Sequence, residues 1–160
     1  MSDADHPPLQ EPRQESSEST ESSRAFTEGF TKGFSPELGW LLDDLVRRVS
    51  AVRHAVALSD GGIVTGASRD LARADAEHLA AIAFGVRTLG ERAGRRFRSG
   101  RVRHAVVEMQ EGSLFIASGA GTVLAVLTGN HAEPELIAYE LNRLARRAAG
   151  QNPMASLNEN

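Results

Sequence analysis

The chain has 160 residues, of which 41% are hydrophobic and 24% are charged, and its net charge is −3 at pH 7. This length allows one domain of ordinary size, and the composition excludes a collagen-like or wholly disordered chain. The absence of cysteine from the sequence excludes disulfides, thiolate metal sites and a cysteine nucleophile.

The N-terminal residues differ from the rest in charge and composition. Residues 1–34 carry seven acidic and three basic side chains, whereas 35–160 carry fourteen acidic and fifteen basic ones. The second part is nearly neutral, so we expect no general attraction to nucleic acid or to an anionic membrane. Residues 1–24 are mainly Ser, Glu, Gln and Pro and have little to bury, which predicts a disordered acidic tail.

A Phe-rich lead connects this tail to the first predicted helix. Its three phenylalanines recur at a spacing of four, which would place them on one side of a helix: Phe26, Phe30 and Phe34. The intervening Gly29 and Gly33 disfavour an isolated helix. Two interpretations stay open, a linker whose rings rest against the domain and a segment that folds only on docking to a partner.

The sequence contains no recognisable targeting signal, and its basic residues are almost all arginine. The sequence contains no apolar run near the roughly 18 residues of a membrane-spanning helix, and no basic-then-apolar secretory leader. We therefore expect a cytoplasmic protein that reaches a membrane only through partners. Lys32 is the sole lysine beside many arginines, which indicates a GC-rich genome such as those of actinobacteria.

The first predicted helix begins at Ser35, which offers a hydroxyl N-cap before Pro36 at the first helical position and Glu37 in the first turn. Apolar residues follow at i, i+3, i+4, i+7, i+8 and i+11. This spacing predicts an amphipathic helix. Its apolar residues are Leu38, Leu41, Leu42, Leu45, Val46 and Val49.

A hairpin and a second helix come next. Strands are predicted at 53–59 and 63–68, because Asp60-Gly61-Gly62 between them suits a tight turn. The second helix is predicted from about residue 73 to about Ala93. Its apolar positions are Leu79, Ile82, Val86 and Leu89, widened by Ala80, Ala83 and Phe84. These alanines, together with Gly85, indicate a smooth surface on which another helix can pack.

Three further strands are predicted at 101–109, 113–118 and 122–128, and their short glycine turns require antiparallel neighbours. Pro134 starts the last helix, whose buried side consists of Leu136, Ile137, Leu141, Leu144 and Ala148. The order α-β-β-α-β-β-β-α predicts an α/β (α+β) domain at 35–149, with a five-stranded antiparallel sheet between helices. Residues 150–160 are predicted to be a flexible tail.

The motifs of common enzymes and metal proteins do not occur. Lys32 lies outside the G-x-x-x-x-G-K-[ST] pattern of a P-loop, and Gly119 with Gly121 precedes a strand where a dinucleotide fingerprint needs a helix. The five histidines lack zinc spacing, and the serines lack a G-x-S-x-G elbow. We therefore predict no catalytic residue, no metal site and no cofactor, and hence a protein that is not an enzyme.

Arginines are concentrated after the second helix. One interpretation of this cluster is a patch for an anion or an acidic partner, formed by Arg92, Arg95, Arg96 and Arg98 and followed by Arg101 and Arg103. The other is a set of cations stabilised at a helix C-terminus and continued by a solvated loop. Few aromatic residues accompany the arginines, which disfavours nucleic-acid binding.

Four segments of the chain resemble the Roadblock (dynein light chain) family. They are LGWLLDDL at 38–45, VRHAVALSDGG at 52–62, VVEM at 106–109 and LAVL at 124–127. The similarity covers about residues 35–149 and is greatest to actinobacterial members encoded in conservons, beside a sensor kinase-like protein and a small GTPase.

The resemblance implies a profilin-like Roadblock fold that forms a homodimer, through the strand after the second helix and through the second helix itself. An exposed strand as apolar as this one would also be an aggregation hazard unless another chain covered it. The implied interface residues are Val102, His104, Ala105, Val106, Val107 and Glu108 in the strand, and Ala80, Ala83, Phe84 and Arg87 in the helix.

The resemblance further implies a regulator of a small Ras-like GTPase, since some family members act as GTPase-activating proteins and others as platforms. It implies no catalytic residue in this sequence. We consider three hypotheses: a GTPase-regulating or tethering module, a scaffold for a sensor kinase-like complex that leaves GTP hydrolysis unchanged, and a small-molecule sensor.

Overall fold

The computed structural model describes residues 34–150. The predicted acidic tail, nearly all of the Phe-rich lead and the C-terminal tail lie outside these residues. The elements in chain order are α1 (Pro36–Arg48), β1 (Val52–Ser59), β2 (Val64–Ala67), α2 (Arg73–Arg96), β3 (His104–Met109), β4 (Gly112–Gly119), β5 (Thr122–Thr128) and α3 (Pro134–Gly150). This order confirms the predicted fold class.

The five strands form one antiparallel sheet in the order β2-β1-β5-β4-β3. The long pairings β1–β5 and β4–β5 place the most apolar strands in the centre. The edges are therefore β2 and β3. A positive φ of 87° at Gly62 closes the β1–β2 turn, as expected of a glycine in a tight hairpin.

The core lies on both faces of the sheet. On one face, leucines of α1 and α3 pack over Ala55, Phe115 and Leu124. Because side chains alternate along a strand, the intervening residues point to the other face, which α2 covers. These residues are Val56, Leu58, Leu114, Ile116, Val123 and Ala125, and all are buried.

The start of α1 follows the sequence prediction closely. Ser35 Oγ accepts a hydrogen bond from the backbone N–H of Leu38 at 3.3 Å, and Pro36 occupies the first helical position. Burial of Leu41, Leu42 and Leu45 then holds this helix on the sheet.

Two predicted boundaries were wrong by several residues. Helix α2 continues to Arg96, beyond the predicted end at Ala93, and β3 starts at His104 instead of residue 101. Positive φ values at Arg98 and Gly100 turn the chain back after α2. Residues 101–103 serve as the connection into β3, since Val102 packs against the helix that has just ended.

Candidate protein-interaction surface

Strand β3 forms an exposed edge of the sheet. It pairs with β4 on one side, and five of its six residues are exposed, including Val106 at 47% and Met109 at 51%. The carbonyl of Arg103 accepts from Ser118 N of β4, and backbone groups alternate in direction along an antiparallel strand. The N–H and C=O groups of His104, Val106 and Glu108 therefore point away from the sheet and are free to pair with another strand.

The side chains of β3 divide between the two faces. His104 and Val106 pair with Ala117 and Phe115, so they lie on the face of α1 and α3. In agreement, His104 Nε2 lies 3.1 Å from Oδ1 of Asn142 in α3. The odd-numbered residues of the strand, Ala105, Val107 and Met109, lie on the α2 face.

Helix α2 turns a different side to the sheet from the one expected. Ile82 and Leu89, two of the predicted apolar positions of this helix, are 55% and 67% exposed. Small residues lie underneath instead, and the buried residues of the helix are Ala76, Leu79, Ala80, Ala83, Arg87 and Gly94. The placement of Ala80, Ala83 and Arg87 at an interface with a second chain was therefore wrong, because their own sheet covers them.

The physical reason lies in the strands below α2. The sheet already contributes large side chains such as Leu58 and Ile116, so the helix packs on it mainly through alanines. Gly94 is buried for another reason, because an added Cβ would collide with the carbonyl oxygen of Gly100 in the connection that follows the helix. The larger apolar residues consequently remain on the outside.

Arg87 has a structural role inside the protomer. Its guanidinium donates to Oδ1 of Asp60 at 3.0 Å and to the Asp60 carbonyl at 3.3 Å, while its Nε is buried without a hydrogen-bond partner. Half-buried Phe84 packs beside it, since a Cβ on Gly62 would lie 3.0 Å from the Phe84 ring. These two residues attach the β1–β2 turn to α2.

Val102 was also assigned to the strand edge, and the structure places it elsewhere. Its backbone N–H donates to Glu91 Oε1 at 3.2 Å, and a Cβ on Gly90 would lie 2.7 Å from its methyl Cγ2. Val102 therefore packs on its own α2 and lies before β3. The remaining predicted edge residues, His104 to Glu108, all belong to β3.

The exposed apolar residues of α2 and its C-cap form what we call the α2 apolar surface: Ile82, Leu89 and Phe97. Sequence analysis missed this surface because it placed the helix part of the interface on Ala80, Ala83, Phe84 and Arg87. The spacing of seven between Ile82 and Leu89 was a usable signal, since it places them on one side of the helix.

The four arginines of the predicted patch are exposed and follow this surface along α2. Arg92, Arg95 and Arg96 lie in its last turns, and Arg98 adopts a positive φ of 56° in the connection. Among residues 34–150, none of the four makes an ion pair with an acidic side chain. Their charge is therefore available to a partner.

A separate charged cluster joins α1 to α3 on the opposite face. Arg48 donates to Asp44 at 2.7 Å and, with two nitrogens, to Glu140 at 3.2 Å. The hydrogen bond from Arg48 lowers the pKa of the Asp44 carboxyl, and the same bond raises the pKa of Arg48. Exposed Trp40 and Tyr139 also belong to these two helices, which lie on the face of the sheet opposite to α2.

Two further properties concern only the part of the chain that the structure describes. Within it, no group of three or more histidine, aspartate or glutamate residues is arranged to hold a metal ion. The helices there are too short or too polar to cross a lipid bilayer.

Comparison with known proteins identifies the family. The sequence model of the Roadblock/LC7 domain matches residues 38–128. This chain is a member of the Roadblock/LC7 family. A solved Roadblock/LC7 domain from Streptomyces avermitilis is 39% identical, with a TM-score of 0.66 over 70% of this chain and 94% of that one. A second, also from Streptomyces avermitilis, is 37% identical, with a TM-score of 0.57 over 71% of this chain and 99% of that one.

A more distant protein shares the fold. MglB of Myxococcus xanthus is 15% identical, with a TM-score of 0.64 over 72% of this chain and 94% of that one. At that identity the likeness concerns the fold alone. No curated protein sequence matches this chain.

Proposed function

We propose that this Roadblock protein is a non-catalytic, homodimeric regulator or scaffold that binds a small Ras-like GTPase in a bacterial signalling system. The observation that carries the proposal is the position of the exposed apolar side chains. Six of the ten large apolar side chains that are exposed among residues 34–150 lie on β3 or on α2 and its C-cap, the two elements through which the family resemblance implies dimerisation. In a monomer the same residues would expose an unpaired apolar strand to solvent.

The homodimer uses β3 and the α2 apolar surface. The corrected interface consists of His104 to Met109 together with Ile82, Leu89 and Phe97, in place of the residues that face the protomer's own sheet. Their mixture of exposed aliphatic and aromatic side chains suits burial against a second copy.

The GTPase partner meets the arginine patch. Arg92, Arg95, Arg96 and Arg98 are exposed and have no acidic partner among the described residues, so an acidic surface on the GTPase would neutralise them. Association steered by such a patch weakens as salt rises, because surface charges are screened.

Sedimentation of the full chain tests the dimer. Leu89→Gln and Ile82→Gln should convert the dimer to a folded monomer, as judged by circular dichroism. Trp40→Gln is the matched control, because Trp40 is 58% exposed but lies in α1, beside the residues that follow β2 at the other edge of the sheet. A wild-type protein that sediments as a monomer would refute this part of the proposal.

Co-purification tests the GTPase partner. The full chain is mixed with the small GTPase that the resemblance implies is encoded beside its gene, loaded with GDP or with a non-hydrolysable GTP analogue. Retention of the GTPase in either nucleotide state supports the proposal. A variant in which all four arginines of the patch are replaced by glutamine should retain less of the GTPase. Failure of both forms to bind would overturn the proposal. GTP hydrolysis measured with and without this protein separates an activating role from tethering or from a kinase-complex scaffold.

A further inference from the structure

Strand β3 carries a self-complementary pattern of backbone groups and side chains. The family resemblance already implies that β3 pairs antiparallel with β3 of a second copy. From the pattern in β3 we infer the register of that pairing, in which the two-fold axis passes between the two Val106 residues. This inference rests on the proposed homodimer and specifies which atoms meet in it.

Symmetry restricts the choice of register. A continuous sheet with α2 of both copies on one face requires a two-fold axis perpendicular to the sheet, and residues directly opposite each other then point to the same face. Even-numbered residues of β3 can therefore lie opposite only even-numbered residues of the second copy, and odd-numbered residues only odd-numbered ones. This allows an axis at any residue of β3, and the axes nearest the middle of the strand, at Val106 and Val107, keep the most residues of the strand paired.

Backbone hydrogen bonding favours the axis at Val106. The outward-pointing N–H and C=O groups belong to His104, Val106 and Glu108. With the axis at Val106 all three find outward-pointing partners, which gives about six hydrogen bonds. An axis one residue away in either direction brings a residue outside β3 into the pairing and leaves about four.

Side-chain chemistry favours the same axis. It sets His104 of each copy opposite Glu108 of the other, on the face of α1 and α3, and it does so twice by symmetry. Glu108 is exposed, and its side chain makes no hydrogen bond or ion pair with residues 34–150. An axis at Val107 would instead set apolar Val106 opposite Glu108, which is a poorer cross-strand pair.

The apolar residues also complement one another in this register. The two Val106 side chains meet at the axis, and 47% of each is exposed in the protomer. On the α2 face, small Ala105 lies opposite larger Val107 of the second copy. Val106 and Val107, which are exposed in a single subunit, therefore lie opposite apolar residues of the second copy, and no charged residue lies directly opposite them.

Disulfide formation in single-cysteine variants tests the register cleanly, because the chain contains no cysteine. Opposite residues of a hydrogen-bonded antiparallel pair have Cα atoms about 5.5 Å apart, which a disulfide can bridge. Val106→Cys should therefore cross-link rapidly under mild oxidation. Ala105→Cys and Val107→Cys should cross-link poorly alone and readily when the two are mixed.

The outcomes separate this inference from the proposed dimer itself. Fastest cross-linking by Ala105→Cys or Val107→Cys alone would overturn the register. Sedimentation as a dimer without any cross-link in β3 would overturn strand pairing while the dimer stands. A monomer of the wild type would refute the dimer on which the inference rests.

A charge swap provides an independent measurement. His104→Glu sets glutamate against glutamate at both symmetric positions, and it should weaken the dimer about tenfold. The double variant His104→Glu/Glu108→His has the same composition as the wild type and restores the unlike pair, so its dissociation constant should return toward the wild-type value. Both variants lose the contact of His104 with Asn142, so their difference reports the contact between copies. Equal weakening in both variants would contradict the assigned pair.

Discussion

The guanidinium of Arg87 lies 3.0 Å from Oδ1 of Asp60 and joins the middle of α2 to the β1–β2 turn. The two side chains differ in environment, because 9% of the Arg87 side chain is exposed and 52% of the Asp60 side chain. A charge held in the interior depends on its partner more than a charge at the surface does. The turn and the helix are therefore coupled through the buried member of the pair.

Removal of the Asp60 carboxylate should destabilise the domain. Asp60→Ala removes the carboxylate acceptor of the buried Arg87 guanidinium and leaves it the backbone carbonyl of residue 60, and we expect a loss of about 1 to 2 kcal/mol in the free energy of unfolding. Urea denaturation measures this. Asp70→Ala is the control, since Asp70 is exposed and makes no ion pair in the protomer. In the double variant Asp60→Ala/Arg87→Met the two losses should be less than additive, and strict additivity would argue against the coupling.

The two glycines Gly94 and Gly85 of α2 should respond in opposite ways to alanine. Gly94→Ala forces a Cβ against the carbonyl oxygen of Gly100, so the free energy of unfolding should fall by at least about 2 kcal/mol. Gly85→Ala meets no atom within 4 Å and should raise helix stability by about 0.5 to 1 kcal/mol. Thermal unfolding at a protein concentration low enough to keep the variants monomeric makes the comparison. A destabilised Gly85→Ala variant would contradict the exposed position of this residue.

The link between α1 and α3 should depend on Arg48. Arg48→Met leaves Glu140, whose side chain is 10% exposed, with only Arg143 nearby at 3.9 Å. We expect a loss of about 1 to 2 kcal/mol in the free energy of unfolding, measured in urea. Arg47→Met is a matched control, because Arg47 contacts Asp44 from a side chain that is 70% exposed. A larger loss in Arg47→Met than in Arg48→Met would refute the bridging role.

The pKa of Asp44 predicts a pH dependence in acid. Its hydrogen bond from Arg48 lowers the pKa of this carboxyl in the folded state, below the ordinary value of 3.8. Such a group stabilises the fold above its unfolded pKa, and that contribution is lost as the pH falls through the folded pKa. The advantage of the wild type over Asp44→Asn should thus be constant near neutral pH and shrink as the pH falls from about 5 to about 2. The free energy of unfolding of both proteins is measured across this range. A stability advantage of the wild type that grew in acid would contradict the lowered pKa of Asp44.

Much of the fold was accessible from local sequence signals. Ser35 and Pro36 marked the start of α1, the leucine spacing marked its buried side, and glycine turns marked the hairpins. These signals suffice because caps, helix periods and tight turns depend on residues close together in the chain. The Phe-rich lead and both tails remain predictions, since they lie outside the described residues.

The interaction surface was predicted only in part. His104 to Glu108 were correctly placed in an edge strand, because a valine-rich segment after a helix indicates a strand whatever its neighbours are. The side of α2 that faces outward was not predicted. Ile82 and Leu89 have the hydrophobicity of core residues, and only the sheet beneath the helix excludes them from the interior.

The sequence by itself therefore determined the elements, their order and the apolar character of β3, since these follow from short-range propensity and periodicity. The tertiary structure alone decided which side of α2 faces inward, that Arg87 and Val102 are used within the protomer, and which groups of β3 point outward. Those properties depend on the volume and direction of side chains brought together from distant parts of the chain. Packing against the sheet admits the alanines of α2 and leaves its larger apolar residues exposed to a partner.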